Sequence, residues 1–490
     1  MKRIKNSTER VRDKERLYEK VADDIAYLIE AGTLRPGDKI PSVRQLSQQK
    51  GVSVTTVLQA YYLLEDHGLI EARPQSGYYV RDRIFKRLPE PEISNPESDP
   101  TRVSLHELVM MVSKDTQNPK LVQLGTAIPN PELLPMRKLN KILASLARRH
   151  DLENLMYDFP PGCEALRIQV AQRLINAGCS LSPADIVTTS GCVEAIELSL
   201  RAVCKPGDVV AIESPMYFGI LQSLEALRLQ ALEIPTHPRD GISLEALQFA
   251  LNHNRIHACL VISNYNNPLG SCIPTENKQK LVEILDEFEI PLIEVDISGE
   301  LTFDEQRPLV AKAFDKKGLV LLCSSFSKDL APSYRVGWVA PGRYRQTVEW
   351  LKFTTNIATA SLPQLAVAEF LASGGYDHHL RHIRKVYARH VAQMSQAVTR
   401  YFPPDTRVTR PQGGFVLWVQ LPEQIDSLEL YKRALKAEIT ITPGYIFSAT
   451  HQYHNFIRLN AAFWSEREER AIATLGKIIE QMLATTANNR

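Results

Sequence analysis

The chain has 490 residues, 44% of them hydrophobic and 23% charged, with a formal net charge of +2. That composition supports a large buried core and more than one domain, and it excludes a disordered or collagen-like chain. The small charge also excludes a uniformly basic nucleic-acid binder, so any DNA-binding surface has to be local. Seven cysteines, an odd number with no C-x-x-C pair, argue for free thiols in a reducing compartment rather than a disulfide framework or a zinc site. The stretch Met1 to Arg10 lacks the apolar centre of a signal peptide, no run is long enough to span a membrane, and no fixed-period repeat occurs. A cytoplasmic protein with no metal site and no membrane partner is expected.

From about Glu15 to Ala31, Leu17, Val21, Ile25, Leu28 and Ile29 recur with helical spacing, and Gly32 closes the helix. After the turn Arg35-Pro36-Gly37-Asp38, Ser42 and Gln45 form a capping box that starts a second helix, which ends near Lys50-Gly51. Ser53 caps a third helix that runs to about His67 and stops at Gly68. Two short helices around a glycine turn read as a helix-turn-helix. Leu69 to Arg73 and Tyr78 to Arg81, around Pro74-Gln75-Ser76-Gly77, read as the strands of a wing. The strings P-S-x-R-x-L, G-V-S-x-x-T-V, A-Y-x-x-L-E-x-x-G-L-I and S-G-Y-Y-V resemble the GntR-type winged helix over this whole segment. The resemblance implies double-stranded operator DNA as a partner, with the third helix entering the major groove by its N-terminal end. Ser53, Thr55 and Thr56 would then donate to phosphates or base edges, Arg44 would reach the backbone, and Gln75, Ser76 and Gly77 would lie near the minor groove. Val54 and Leu58 stand where relatives often carry basic residues, which leaves base readout there to a contact between Val54 and a thymine methyl. The basic N-terminal stretch either adds non-specific attraction to phosphates or is a solvated tail.

Leu88 to Pro100 is rich in proline and polar residues and reads as an extended linker. Strands and helices then alternate, the mark of an α/β fold. Asp185 to Thr189 reads as a strand, Ser190-Gly191-Cys192 as a turn, Val193 to Val203 as a helix and Gly207 to Ile212 as the next strand. A strand, small residues and a helix N-terminus offer free backbone N–H groups to an anion. Gly318 to Cys323 is an apolar strand leading into Ser324-Ser325-Phe326-Ser327-Lys328-Asp329, with Arg335 seven residues beyond the lysine. A lysine beside buried strands loses proton affinity, which suits attack on an aldehyde. Ser325, Ser327 and Arg335 suit a phosphate.

The string S-x-x-K with that arginine and a following Gly-Trp resembles the cofactor-lysine segment of the fold-type I pyridoxal phosphate enzymes, the aspartate aminotransferase superfamily. The resemblance implies pyridoxal 5'-phosphate on Lys328, its phosphate held by Ser190, Gly191, Cys192, Ser325, Ser327 and Arg335. It also implies that Tyr217 stacks on the ring, Asn267 of the N-P-x-G turn meets the ring hydroxyl, and Arg458 clamps a substrate carboxylate. Tyr157 and Thr359 would reach the site of a partner subunit in a homodimer. Winged helix, linker and aminotransferase-like domain together resemble the MocR subfamily of GntR regulators. The expected domains are residues 14–83 for the winged helix, 84–114 for the linker and 115–488 for the aminotransferase-like part.

One departure bears on mechanism. Ile293-Glu294-Val295-Asp296-Ile297-Ser298-Gly299-Glu300-Leu301 aligns with the family's E-D-D-x-Y-x-E-L. Val295 replaces the aspartate that pairs with the ring nitrogen, and Ser298 replaces the tyrosine. Neighbouring strand residues face opposite ways, so Asp296 can serve as the ring partner only if the strand end shifts. The expectation is a transcriptional regulator that senses a small amine or amino acid with weak or no transaminase turnover. An active aminotransferase with an accessory DNA-binding domain, or a degenerate domain used only for dimerisation, remain open at this point.

Overall fold

The structure is a computed structural model that describes residues 17–30, 33–66, 68–73, 76–81, 88–115, 118, 120–149 and 156–488. They form two compact units, one reaching to Leu88 and including Gln396–Arg400, and a larger one of Pro89–Ser395 and the residues from Tyr401 on.

In the first unit, α1 (Leu17–Glu30), α2 (Val43–Lys50) and α3 (Val54–Asp66) precede a hairpin of β1 (Ile70–Arg73) and β2 (Gly77–Val80). The stripe Val21, Ile25 and Ile29 of α1 is buried against Leu46 of α2 and Val57, Tyr61 and Leu64 of α3. Leu17 and Leu28, expected on the same face, are exposed because they lie at the first turn and beside the stripe rather than on it. The capping box at Ser42 forms, with its reciprocal bond from Gln45, and Gly51 ends α2 in the left-handed conformation at φ 64°. The expected helix start at Glu15, the closing Gly32, and Pro74 and Gln75 lie outside the described residues.

The larger unit begins with β3 (Thr101–Arg102), α4 (His106–Asp115), β4 (Val122–Gln123), α5 (Met136–Arg148) and α6 (Glu164–Asn176). Then β5 (Val187–Thr189), α7 (Cys192–Val203), β6 (Val209–Ser214), α8 (Phe218–Ala226), β7 (Gln230–His237), β8 (Gly241–Ile242), α9 (Leu244–His253) and β9 (Ile256–Ile262) alternate. They are followed by α10 (Thr275–Glu287), β10 (Leu292–Val295), β11 (Val320–Ser325), β12 (Gly337–Ala340), α11 (Arg345–Asn356), α12 (Ser361–Ala372) and α13 (Gly375–Tyr401). The main sheet has the order β3-β7-β6-β9-β10-β11-β12-β5, with β8 paired to β7. Its centre, β7-β6-β9-β10-β11, is parallel, and β12, β5 and β3 join antiparallel. Strands of this kind are covered on both faces, which is why β9 and β11 read as apolar runs. A second sheet, β13 (Arg407–Val408), β14 (Val416–Gln420), β16 (Thr442–Pro443) and β17 (Phe456–Asn460), packs with α14 (Ser427–Lys436) and α15 (Glu466–Asn488), while β15 (Ile439–Thr440) pairs with β4. No described helix is long and apolar enough to cross a membrane.

Residues 89–100, read from composition as linker, and 101–114 of the expected 84–114 linker belong to this larger unit. Thr101 pairs with Ala231 on the sheet edge, Ser94 exchanges bonds with Thr236, and Glu90 and Glu92 meet Arg239 and Arg407. Ahead of α4, the proline-rich and polar residues form an extended strap fastened to the body of the unit by Glu90, Glu92 and Ser94.

Candidate functional site

In the first unit the expected DNA-facing residues gather at the start of α3, on α2 and at the hairpin. Ser53 caps α3, accepting from the Thr56 N–H at 3.0 Å, and the two hydroxyls lie 2.7 Å apart. Both side chains therefore have a structural partner, while Thr55 and Arg44 are exposed. At the hairpin Ser76 Oγ lies 2.7 Å from the Tyr79 hydroxyl, and Gly77 takes φ 108°, where a side chain would be strained and would press on Lys39. Gln75 is outside the described residues. Lys39 and Arg73 stand beside these residues, their cationic ends 5.8 and 4.4 Å from the centre of the Tyr79 ring, and Arg73 pairs with Glu71 at 2.9 Å. Their facing places on two elements gave no linear motif.

In the larger unit the α7 N-terminus and the segment after β11 converge because β5 and β11 both pair with β12. Gly191 caps α7 with φ 94° and no side-chain cap, leaving N–H groups of the first turn to an outside acceptor. Arg335 donates to the Ser190 carbonyl and the Ser327 hydroxyl, both at 3.2 Å, and the Ser327 N–H reaches Ser325 Oγ at 3.4 Å. A side chain on Gly191 would be strained at its φ of 94°, and its Cβ would push the Arg335 guanidinium aside. Ser190, Gly191, Cys192, Ser325, Ser327 and Arg335 are thus brought into one cup.

Lys328 lies beside this cup, half-buried, with Nζ donating to the Ala127 carbonyl at 2.6 Å. Burial pulls its pKa down to about 8, and the guanidinium groups of Arg458 and Arg335 push in the same direction against Cys192. Arg458, on the central strand β17, is buried rather than on a surface strand. Its guanidinium donates to Asn267 Oδ1 and Thr442 Oγ1, each at 3.1 Å, and to the Gly125 carbonyl, while Nε has no protein partner. Burial lowers its pKa to about 10. Tyr217 feels Arg458, Cys192 and Arg335, and burial raises its hydroxyl. Gly125, Ala127 and Thr442 were missed by sequence reasoning: two act through backbone carbonyls, which carry no side-chain signature.

Three expected residues stand apart. Asp296 is not free for a ring nitrogen: Asn264 donates to Oδ1 at 2.9 Å, and Arg307 pairs with Oδ2 at 2.5 Å in a buried ion pair. The strand end does not shift, so Asp296 and Val295 keep opposite sides, and Val295 packs in the core with Cys192 and Cys323. Thr359 is buried and accepts from Lys352 at 2.7 Å. Tyr157 is 70% exposed, its ring tilted against Phe159 with the centroids 5.7 Å apart. Behind β11, a cavity of about 30 Å³ lined by Asp296, Arg307, Asp329 and Tyr376 has room for one or two waters and no cofactor.

Residues 17–80 match the bacterial regulatory proteins of the gntR family, and residues 140–475 match the aminotransferase class I and II family. The uncharacterised HTH-type transcriptional regulator YdcR of Escherichia coli (strain K12) is 39% identical over 467 residues, 95% of this chain and 99% of that one. Among solved structures, the multiple substrate aminotransferase of Thermococcus profundus aligns with a TM-score of 0.72 at 25% identity, over 77% of this chain and 95% of that one. The kynurenine aminotransferase of Pyrococcus horikoshii aligns with a TM-score of 0.71 at 29% identity, over 78% of this chain and 95% of that one. With a winged helix of the gntR family ahead of an aminotransferase fold, and a regulator as relative over nearly its full length, the chain belongs to the MocR-type GntR transcriptional regulators.

Proposed function

We propose that this DNA-binding regulator holds pyridoxal 5'-phosphate on Lys328, acts as a homodimer, and changes its grip on operator DNA when a small amine or amino acid reaches that lysine. The observation that carries the reading is a lysine of lowered pKa beside an anion cup. With its pKa near 8, about one Lys328 in ten is unprotonated at pH 7, against fewer than about one in a thousand for an ordinary lysine. The open N-terminal turn of α7, the Ser325 and Ser327 hydroxyls and Arg335 suit a phosphate dianion. Asn267 keeps its amide N–H₂ for a ring hydroxyl while its oxygen holds Arg458. Tyr217 offers a ring face, and Arg458 a buried guanidinium for a carboxylate. Once bound, the cofactor would supply an aldehyde that condenses with primary amines and a ring that can take up electrons.

What the chain withholds matters as much. Val295 offers no acceptor at the ring-nitrogen position, and Asp296 is committed to Arg307. An unpaired buried pyridinium is unfavourable, so the ring would stay a weak electron sink. Amine exchange at Lys328 needs no such sink. The site therefore favours binding amines over consuming them, which suits a sensor. A homodimer is supported by exposed rings on one part of the larger unit: Tyr157 and Phe159 lie near Phe353, and Trp350 of the same helix is 64% exposed.

The test is a visible spectrum of the purified protein. It should be yellow, borohydride should fix the cofactor to Lys328, and Lys328→Ala should abolish both. A protein that stays colourless with added pyridoxal phosphate would leave the aminotransferase-like part of this DNA-binding regulator only a dimerisation role. Turnover of an amino acid at about 1 s⁻¹ or faster would favour the aminotransferase reading, which the intact Lys328 and Arg458 also allow.

A further inference from the structure

The first turn of α7 carries a negative charge that an anion site should not tolerate unaided. Glu194 is the third residue of α7, and its Oε2 accepts from the Ser190 N–H. With Arg335 on the Ser190 carbonyl, that residue is strapped from both sides. A carboxylate in the first turn is favourable for the helix, but beside a bound phosphate dianion it is repulsive.

Compensation comes from α11. Lys352 is fully buried, and its ammonium lies 3.3 Å from Glu194 Oε1. It donates to Thr359 Oγ1 at 2.7 Å and to Asn356 Oδ1 at 3.3 Å, and the Asn356 amide donates to the same Glu194 oxygen at 2.6 Å. Burial lowers the Lys352 pKa, while Glu194 and Asp158 work to keep it charged. A lysine with no solvent exposure is costly unless its charge is used, and nothing in the proposed chemistry at Lys328 uses it. The pair also explains why Thr359 is turned inward, onto this lysine.

We infer that Lys352 is a positioning residue for the phosphate cup: its charge cancels that of Glu194, so that Glu194 can strap Ser190 without repelling a phosphate at the α7 N-terminus. The inference rests on the reading that this cup takes a phosphorylated aldehyde, and it adds a charge-balancing group that does not itself touch the ligand.

The experiment compares binding of pyridoxal 5'-phosphate and of pyridoxal, which lacks the phosphate, by titrated absorbance. The full-length proteins are wild type, Lys352→Met, Glu194→Gln and the double variant, each checked for folding by its melting curve. Lys352→Met should weaken pyridoxal phosphate by on the order of tenfold and leave pyridoxal within a factor of about two. The double variant should recover most of that loss, because the repulsive charge leaves with its partner. Glu194→Gln alone should bind the phosphate ester as well as wild type or better. Equal losses for both ligands in Lys352→Met, or a double variant no better than Lys352→Met, would reduce the pair to packing and overturn the inference. If Lys352→Met does not fold, Glu194→Gln and the double variant decide alone, and a phosphate-selective loss in Glu194→Gln overturns it. A wild-type protein that binds neither ligand would instead overturn the reading beneath it, and the inference with it.

Discussion

Lys328→Met should stabilise the cofactor-free protein at neutral pH, even though the lysine is central to the proposed function. A fall in pKa from 10.5 to about 8 costs the folded, protonated protein about 3 kcal/mol, at about 1.4 kcal/mol per pH unit. The direction with pH follows from proton counts. Below about pH 8 both folded and unfolded chains hold the proton, and the penalty is complete. Between about pH 8 and 10.5 the unfolded chain holds a proton that the folded one has released, so wild-type stability rises with pH. Above 10.5 neither holds it and the penalty is gone. Methionine removes the charge but leaves the Ala127 carbonyl without its donor, a loss of about 1 kcal/mol. The net gain at pH 7 is therefore about 2 kcal/mol. For a unit of roughly 400 residues, with about 2.1 cal/mol/K per residue, that raises the melting temperature by about 2–3 °C. Differential scanning calorimetry of both proteins, stripped of cofactor, at pH 7 and pH 10 measures it. The gain should vanish by about pH 10. A destabilised methionine variant at pH 7, or a gain equal at both pH values, would mean that Lys328 is an ordinary solvated lysine.

Four other outcomes are expected. In mobility-shift titrations, Thr56→Ala should weaken binding to operator sites, while Arg44→Ala and Arg73→Ala should weaken binding to all sequences and each lower the salt slope by about 1; Ser53→Ala should cost the first unit about 1 kcal/mol through its lost cap. Phe353→Glu should shift the protein towards monomer in analytical ultracentrifugation, because it places a charge among the exposed rings around Phe159; an unchanged dimer would move the interface elsewhere. Val295→Asp, in a protein that still melts cooperatively, should raise the rate at which an amino acid converts bound pyridoxal phosphate to its pyridoxamine form, and an unchanged rate would show that the ring-nitrogen contact does not limit turnover.

The parts of the fold visible in the sequence are those governed by short-range chemistry. Ser42 with Gln45 and the left-handed Gly51 bound α2 as read, because capping is decided within one turn. The cup was legible because Ser325, Ser327, Lys328 and Arg335 lie on one short segment and Ser190 to Cys192 on another. Partners set by the tertiary fold were not. Glu194 and Lys352 are 158 residues apart, and only the packing of α7 on α11 brings them together. Residues 89–100 show the opposite failure: a composition that usually means solvated chain here supplies Ser94, Glu90 and Glu92 as fastenings. Leu17 and Leu28 mark the limit of periodicity, since a helical pattern gives the direction of a face but not how far the neighbouring elements extend over it.

The end of β10 joins the two halves of the functional argument. Glu294, Val295 and Asp296 alternate across the sheet, and each has a fixed use. Glu294 accepts from Ser263 at 2.5 Å and from the Ala311 and Lys312 N–H groups at 2.7 and 2.8 Å. Val295 fills the core beside Cys192 on the α7 side. Asp296 holds Arg307, which in turn meets Glu300 at 3.2 Å, and Glu300 holds Arg173 and Arg384, each at 3.2 Å. Turning Asp296 towards the α7 side would free the buried Arg307 and break into this chain of ion pairs, and removing one partner of such a pair costs about 3–5 kcal/mol. It would also move Glu294 off its three donors if the register slipped by one. If the larger unit holds pyridoxal phosphate as proposed, a carboxylate for its ring nitrogen would have to come from a change at residue 295 itself, where the native valine keeps the α7 side of the strand apolar. Under the proposed function, that separation would leave Lys328, after β11 of the main sheet, and Arg458, on β17 of the second sheet, without the group that would drive amine chemistry forward.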